Sequence, residues 1–138
     1  MTIQHKAKLH FGRGSKSQKQ AKAGPAPAKP DGRVPRVARL LALAHRFERL
    51  VEMGVAADYA DLARLGRVSR ARVTQIMNLL SLAPDIQEQI LCWAPVTSGK
   101  DPISERGLRA VVAELDWGRQ RRSYDSISQR TESAPVEH

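Results

Sequence analysis

Residues 59–80 read YADLARLGRVSRARVTQIMNLL, and this stretch decides the fold. Asp58 precedes it as a helix cap, and Leu62 and Ala63 mark the inner side of a helix over Tyr59–Leu65. Gly66-Arg67-Val68 breaks that helix. Ser69 caps the next, in which Val73, Ile76 and Leu80 recur at helical spacing. The pattern is helix, tight turn, helix. Ala63 is small where the two helices must approach, and Val68 is placed to plug the turn. Such turns put Gly where the backbone goes left-handed, just before the plug residue. Here that position is Arg67, with Gly66 one earlier, so a shifted or strained turn is expected.

Opposite Val73, Ile76 and Leu80 lie Ala71, Thr74, Gln75 and Asn78, with Ser69 and Arg70 at the amino end and Arg72 on the flank. No Asp or Glu occurs from Ser69 to Pro84. An ordinary solvated helix mixes both signs of charge, so an acid-free face points to a polyanion. Gln and Asn can pair bidentately with adenine and Arg with guanine, while Ala71 or the Thr74 methyl can touch a thymine methyl. The expected chemistry is a DNA-binding helix-turn-helix whose second helix enters the major groove. Ser69, Arg70, Ala71, Thr74, Gln75 and Asn78 are the candidate base-reading residues.

Outward from the motif, Pro35 and RVARLLALAHRFERLVEMG give a first helix that stops at Gly54. Its apolar face, Val37 to Val51, is broad enough to be considered as a dimer surface. Arg39, Arg46 and Arg49 share another face. Pro84 opens a helix to about Trp93, Ala94 to Pro102 forms a loop, and Ser104 caps a last helix to about Leu115. Trp117 is expected to fold back on the core. The fold class is all-α, a bundle of four to five helices flanked by disordered tails.

The domain occupies about residues 34–122. Residues 1–33 hold six of the seven lysines, together with Gly24, Pro25, Pro27 and Pro30, and Asp31 is their sole acid. Such a segment buries too little apolar surface to offset its ordering entropy, so it reads as a disordered basic arm. Residues 123–138 carry net charge −2, lack an apolar period and read as a flexible tail. The arm either solubilises the protein or lies along DNA. Arg39, Arg46, Arg64, Arg67, Arg72, Lys16 and Lys19 are the candidate phosphate contacts.

The whole chain has 138 residues, with 23 Lys+Arg against 14 Asp+Glu and a formal net charge of +9. That charge makes a polyanion the leading partner. The apolar runs are far shorter than the roughly 20 residues that span a bilayer, so no membrane partner is expected. The lysine-rich start does not resemble a secretory leader, and a single cysteine, Cys92, suits a reducing cytoplasm. Cytoplasmic, nucleoid-associated localisation is expected. His5, His10, His45 and His138 are scattered and lack metal-ligand spacing. Cys92 reads as a packed thiol rather than a nucleophile. Asp58 and Asp61 are explained by helix capping. HFGRGSK lacks the strand and helix that a phosphate loop requires. No catalytic residue, metal or cofactor is expected.

ADYADLARLGRVSRARVTQIMNLLSLAPDIQEQIL resembles the helix-turn-helix of ParB/KorB-type partition proteins and repressors. A longer likeness runs through HFGRG, RVPRVARLLALAHRFERLVEMG, the helix-turn-helix and DPISERGLRAVVAELDWGRQRR. Together these resemble the carboxy-terminal region of a lineage of bacterial serine recombinases and its small standalone relatives. The resemblance covers most of residues 10–122. It implies a bacterial, mobile-element-related DNA-binding module and no catalysis, because the strand, arginine and serine of the recombinase catalytic domain do not occur here. A homodimer or a recombinase partner is left open. The rival readings are a subunit that tethers a separately encoded recombinase or partition partner, a non-specific nucleic-acid binder, and a relict fragment.

Overall fold

The computed structural model describes residues 9–13, 19–23 and 31–132, the first two stretches at the level of backbone. The chain divides into two units, Met1–Asp31 and Gly32–His138. In the first, β1 (Leu9–Arg13) and β2 (Lys19–Ala23) pair antiparallel, with Leu9 opposite Ala23 and Arg13 opposite Lys19. These ten residues differ from an arm without regular structure. Only Leu9 and Phe11 alternate with polar neighbours, too few to announce a strand.

The second unit is all-α. Its elements are α1 (Arg36–Glu52), α2 (Tyr59–Gly66), α3 (Arg70–Met77), a 3₁₀ turn over Asn78–Ser81, α4 (Pro84–Leu91), α5 (Glu105–Ala113) and α6 (Trp117–Glu132). At 1.5 Å per residue the 17 residues of α1 span about 25 Å, long enough to serve two cores. Its carboxy-terminal half, with Ala44 and Phe47, packs with Ala56, Leu62, Ala63, Val73, Ile76 and Met77 of the α2–α3 region. Its amino-terminal half, with Val37, Ala38 and Leu41, packs with Leu82, Ile86, Ile90, Leu108, Val111 and Tyr124. Leu40 and Leu80 touch both clusters. The apolar face considered for dimerisation is therefore largely spent inside the chain.

The start of α1 has no side-chain cap of its own. Asp101 supplies one from the loop before α5: its Oδ2 accepts the backbone N–H of Arg36 at 2.8 Å, where the helix dipole favours an anion. Arg33 donates to the same carboxylate at 2.6 Å and to the Gly99 carbonyl at 2.9 Å. Arg33 and Val96 also exchange backbone hydrogen bonds, at 2.9 and 2.8 Å. Gly32 permits this approach, since its φ is +109° and a Cβ there would lie 2.8 Å from the Val96 carbonyl oxygen.

Two expectations are corrected at the carboxy-terminal end. Helix α6 continues through Ser123 to Glu132, where a flexible tail was expected, and Tyr124 is only 3% exposed. Asp116 Oδ1 caps α6 by accepting the Arg119 N–H at 2.8 Å. The sequence conceals this helix because only Tyr124 and Ile127 supply its apolar contacts to the core. Trp117 does not fold back on the core. It is 48% exposed and carries the Arg121 guanidinium 5.9 Å from its ring centroid. The second helix of the motif ends at Met77 and tightens into the 3₁₀ turn, so Leu80 lies beyond it.

Candidate nucleic-acid interface

Helix α2 starts as its sequence dictates. Asp58 Oδ1 accepts the Asp61 N–H at 2.9 Å, and Asp61 Oδ2 accepts the Ala57 N–H at 3.0 Å. The two carboxylates thus serve the helix end, with Asp61 Oδ1 also taking Arg64 Nη2 at 2.7 Å. The helix closes in a Schellman motif. The Val68 N–H bonds the Ala63 carbonyl at 3.0 Å, and the Arg67 N–H bonds the Arg64 carbonyl at 3.4 Å. Arg67 occupies the left-handed region at φ 53°, ψ 43°. The turn is therefore unshifted, and an arginine sits where glycine is favoured. It is the single non-glycine residue of positive φ among the described residues. Val68 does not plug the turn, being 41% exposed. Burial between the helices comes instead from Ala56, Leu62 and Ala63.

Arg67, Val68 and Ser69 are thus a three-residue turn between two eight-residue helices. Ser69 Oγ accepts the Arg72 N–H at 3.1 Å and starts α3. Val73, Ile76 and Met77 point α3 into the core. Ser69, Arg70, Ala71, Thr74, Gln75 and Asn78 are all exposed: Ser69 caps α3, Asn78 opens the 3₁₀ turn that follows it, and the other four lie on α3 itself. Thr74 Oγ1 donates to the Arg70 carbonyl at 3.1 Å, which occupies its hydroxyl.

The candidate phosphate contacts divide. Arg39, Arg46 and Arg67 are exposed and form no salt bridge within the described residues, as is also true of Arg49 and Arg70. Arg64 is highly exposed but paired with Asp61. Arg72 is not a free cation: both its terminal nitrogens bind the Glu105 carboxylate, the Nη2–Oε2 contact being 3.2 Å. Lys19 lies in β2 opposite Arg13, and Lys16 lies outside the described residues.

Glu105 was not foreseen, because nothing in the sequence ties the first turn of α5 to α3. Its carboxyl is held below the ordinary carboxylate range by the Arg72 hydrogen bond and by the charges of Arg72, Arg36 and Arg109, against the opposing effect of burial. Beside it an open groove is lined by Gln75, Asn78, Arg109 and Leu115. Cys92 is an exposed free thiol, contrary to the packed position expected. Among the described residues no group of three or more His, Cys, Asp and Glu is arranged to hold a metal, and no helix is long and apolar enough to cross a membrane.

No protein-family model matches the chain, and neither a curated protein nor a solved structure matches it.

Proposed function

We propose that this chain is a non-catalytic, sequence-specific double-stranded DNA-binding protein of helix-turn-helix type, serving mobile-element recombination or its regulation. The observation that carries the reading is the exposed, acid-free face of α3, held by a buried Val73–Ile76–Met77 face and a fixed three-residue turn. Arg70, Gln75 and Asn78 supply directional donors and acceptors for base edges, while Ala71 and the Thr74 methyl supply apolar contact. The Ser69 end of α3 presents free backbone N–H groups to a phosphate. Arg39, Arg46, Arg64, Arg67, Lys16 and Lys19 are assigned to the phosphate backbone, where charge and not geometry is required. One eight-residue helix reads only a few base pairs, so a second copy or a recombinase partner on an adjacent half-site is part of the proposal.

Selection from a random duplex pool at physiological salt, with wild type and Gln75→Ala in parallel, tests the reading. An enriched motif that shifts in the variant supports it, and the symmetry of that motif reports the number of copies bound. Salt-labile binding without enrichment overturns it in favour of charge-driven contact.

A further inference from the structure

Arg72 belongs to α3, yet its side chain is directed along the flank of the exposed face and not away from the protein. Its two terminal nitrogens fork onto the two oxygens of Glu105, which lies just after the Ser104 cap of α5. The pair is partly buried, with side-chain exposures of 26% and 20%. The same Arg72 Nη1 donates to Gln75 Oε1 at 3.1 Å. A guanidinium has no acceptor, so the Gln75 atom that faces it is its carbonyl oxygen and the amide orientation is chemically fixed. Arg36 approaches Glu105 Oε2 more loosely, Nε at 3.8 Å, and has no hydrogen bond to Gln75.

We propose that Glu105 is a positioning residue for base reading: it clamps Arg72, and Arg72 in turn holds the Gln75 carboxamide ready for an adenine edge. This rests on the reading of α3 as the base-reading helix. Bidentate adenine recognition needs one carbonyl lone pair and one N–H of the amide. Arg72 takes one lone pair of Oε1 and leaves the second, together with both Nε2 hydrogens. An exposed glutamine otherwise samples many rotamers, and ordering it beforehand lowers the entropy lost on binding. The clamp has a second consequence. It withdraws Arg72 from the cations available to phosphate, so that Glu105 exchanges indiscriminate attraction for discrimination.

The test measures binding of wild type, Glu105→Gln, Gln75→Ala and the double variant to duplexes carrying each base at the position that Gln75→Ala shifts. Binding is followed over a range of salt. For Glu105→Gln, discrimination at that position is expected to fall by roughly fivefold, a fraction of what a complete bidentate pair provides. The double variant should discriminate no worse than Gln75→Ala. Affinity for unrelated duplex should rise, and the slope of log K against log salt should steepen by up to about 0.9 as Arg72 is released. Arg36→Gln touches the same carboxylate and should leave the base ratio unaltered. A contact that only docks α5 on α3 would weaken every duplex alike with an unchanged base ratio, and that result overturns the proposal. Should Glu105→Gln fail to fold by circular dichroism, Glu105→Asp keeps the charge but withdraws the fork, so discrimination at that position should drop. A wild type that enriches no motif overturns the proposed function itself, whereas enrichment with Glu105→Gln equal to wild type overturns this inference alone.

Discussion

The side-chain carbonyl of the fully buried Gln120 accepts the backbone N–H of Ala83 at 2.6 Å. Its Nε2 donates to the Ser81 carbonyl at 3.2 Å and to the Glu114 carbonyl at 3.1 Å. One amide on α6 thereby satisfies the turn between the motif and α4 as well as the entry to α6. Gln120→Leu keeps the approximate volume but strands a buried N–H and deprives two carbonyls of their partner. It should destabilise the fold by about 3 kcal/mol, the sum of the unmet groups. Urea denaturation followed by circular dichroism checks this. An unchanged midpoint would show that water or a shifted backbone replaces the amide.

Arg67 is the second test of stability. Left-handed backbone costs a residue with a Cβ roughly 1–2 kcal/mol, which glycine escapes. Arg67→Gly should therefore raise the melting temperature by a few degrees in a domain of this size, roughly 1 kcal/mol. The Schellman bonds that surround it require only its backbone. The neighbouring Gly66 is helical, and a Cβ there would meet Val68 and Phe47 at ordinary contact distances of 3.7 and 3.9 Å. Gly66→Ala should accordingly be tolerated. A melting temperature that falls with Arg67→Gly would mean that the arginine side chain stabilises the turn.

The α2–α3 core was legible because short-range signals agree there. Asp58 and Ser69 both cap as expected, Pro84 opens α4, and Val73 and Ile76 are buried. The outward residues from the Ser69 cap to Asn78 followed from the same period. What escaped notice depends on contacts between elements distant in sequence. Gln120 reads as one more polar residue in an arginine-rich run, and its burial exists only because Ser81 and Ala83 come to meet it. Arg121 forks onto Asp85 of α4, 36 residues away, at 2.9 and 3.1 Å. Glu105 takes its fork from Arg72, 33 residues away. Local propensity cannot register such pairs, which are set by how the helices pack.

The carboxylates give stability a defined response to acid. Asp101 lies below the ordinary carboxylate range because of the Arg36 backbone N–H and the Arg33 guanidinium. Glu105 lies below it because of Arg72, and Asp85 because of Arg121. Each binds its proton more weakly folded than unfolded. Its contribution is present above the unfolded value near 4 and is lost as pH falls through the lower folded value. Tyr124 behaves oppositely: burial raises its pKa, so its contribution is present below the unfolded value near 10 and is lost as pH rises through the folded one. Urea midpoints measured from pH 2 to 11 should fall at both ends. Asp101→Asn should make the acid limb shallower, leaving the shares of Glu105 and Asp85, and Tyr124→Phe should flatten the alkaline limb. A limb unchanged in its variant would assign it to other groups.

Arg70 and Arg46 are both exposed arginines without an ion pair within the described residues, and they separate reading from attraction. Arg70 is the first residue of α3, on the face that carries Thr74 and Gln75, whereas Arg46 projects from α1. If α3 enters the major groove, Arg70→Ala should cost roughly 1–3 kcal/mol at the best site and relax the preference at a single base pair. Arg46→Ala should weaken preferred and unrelated duplexes by the same factor and lower the salt slope by about 0.9, one phosphate contact. Fluorescence anisotropy on the selected duplex and a scrambled one, each at three salt concentrations, distinguishes them. Equal losses on both duplexes for both variants would reduce the protein to a charged surface. A loss for Arg70→Ala confined to the selected duplex, with relaxed preference at one base pair, places its guanidinium at a base edge, since a phosphate contact would not single out one base pair.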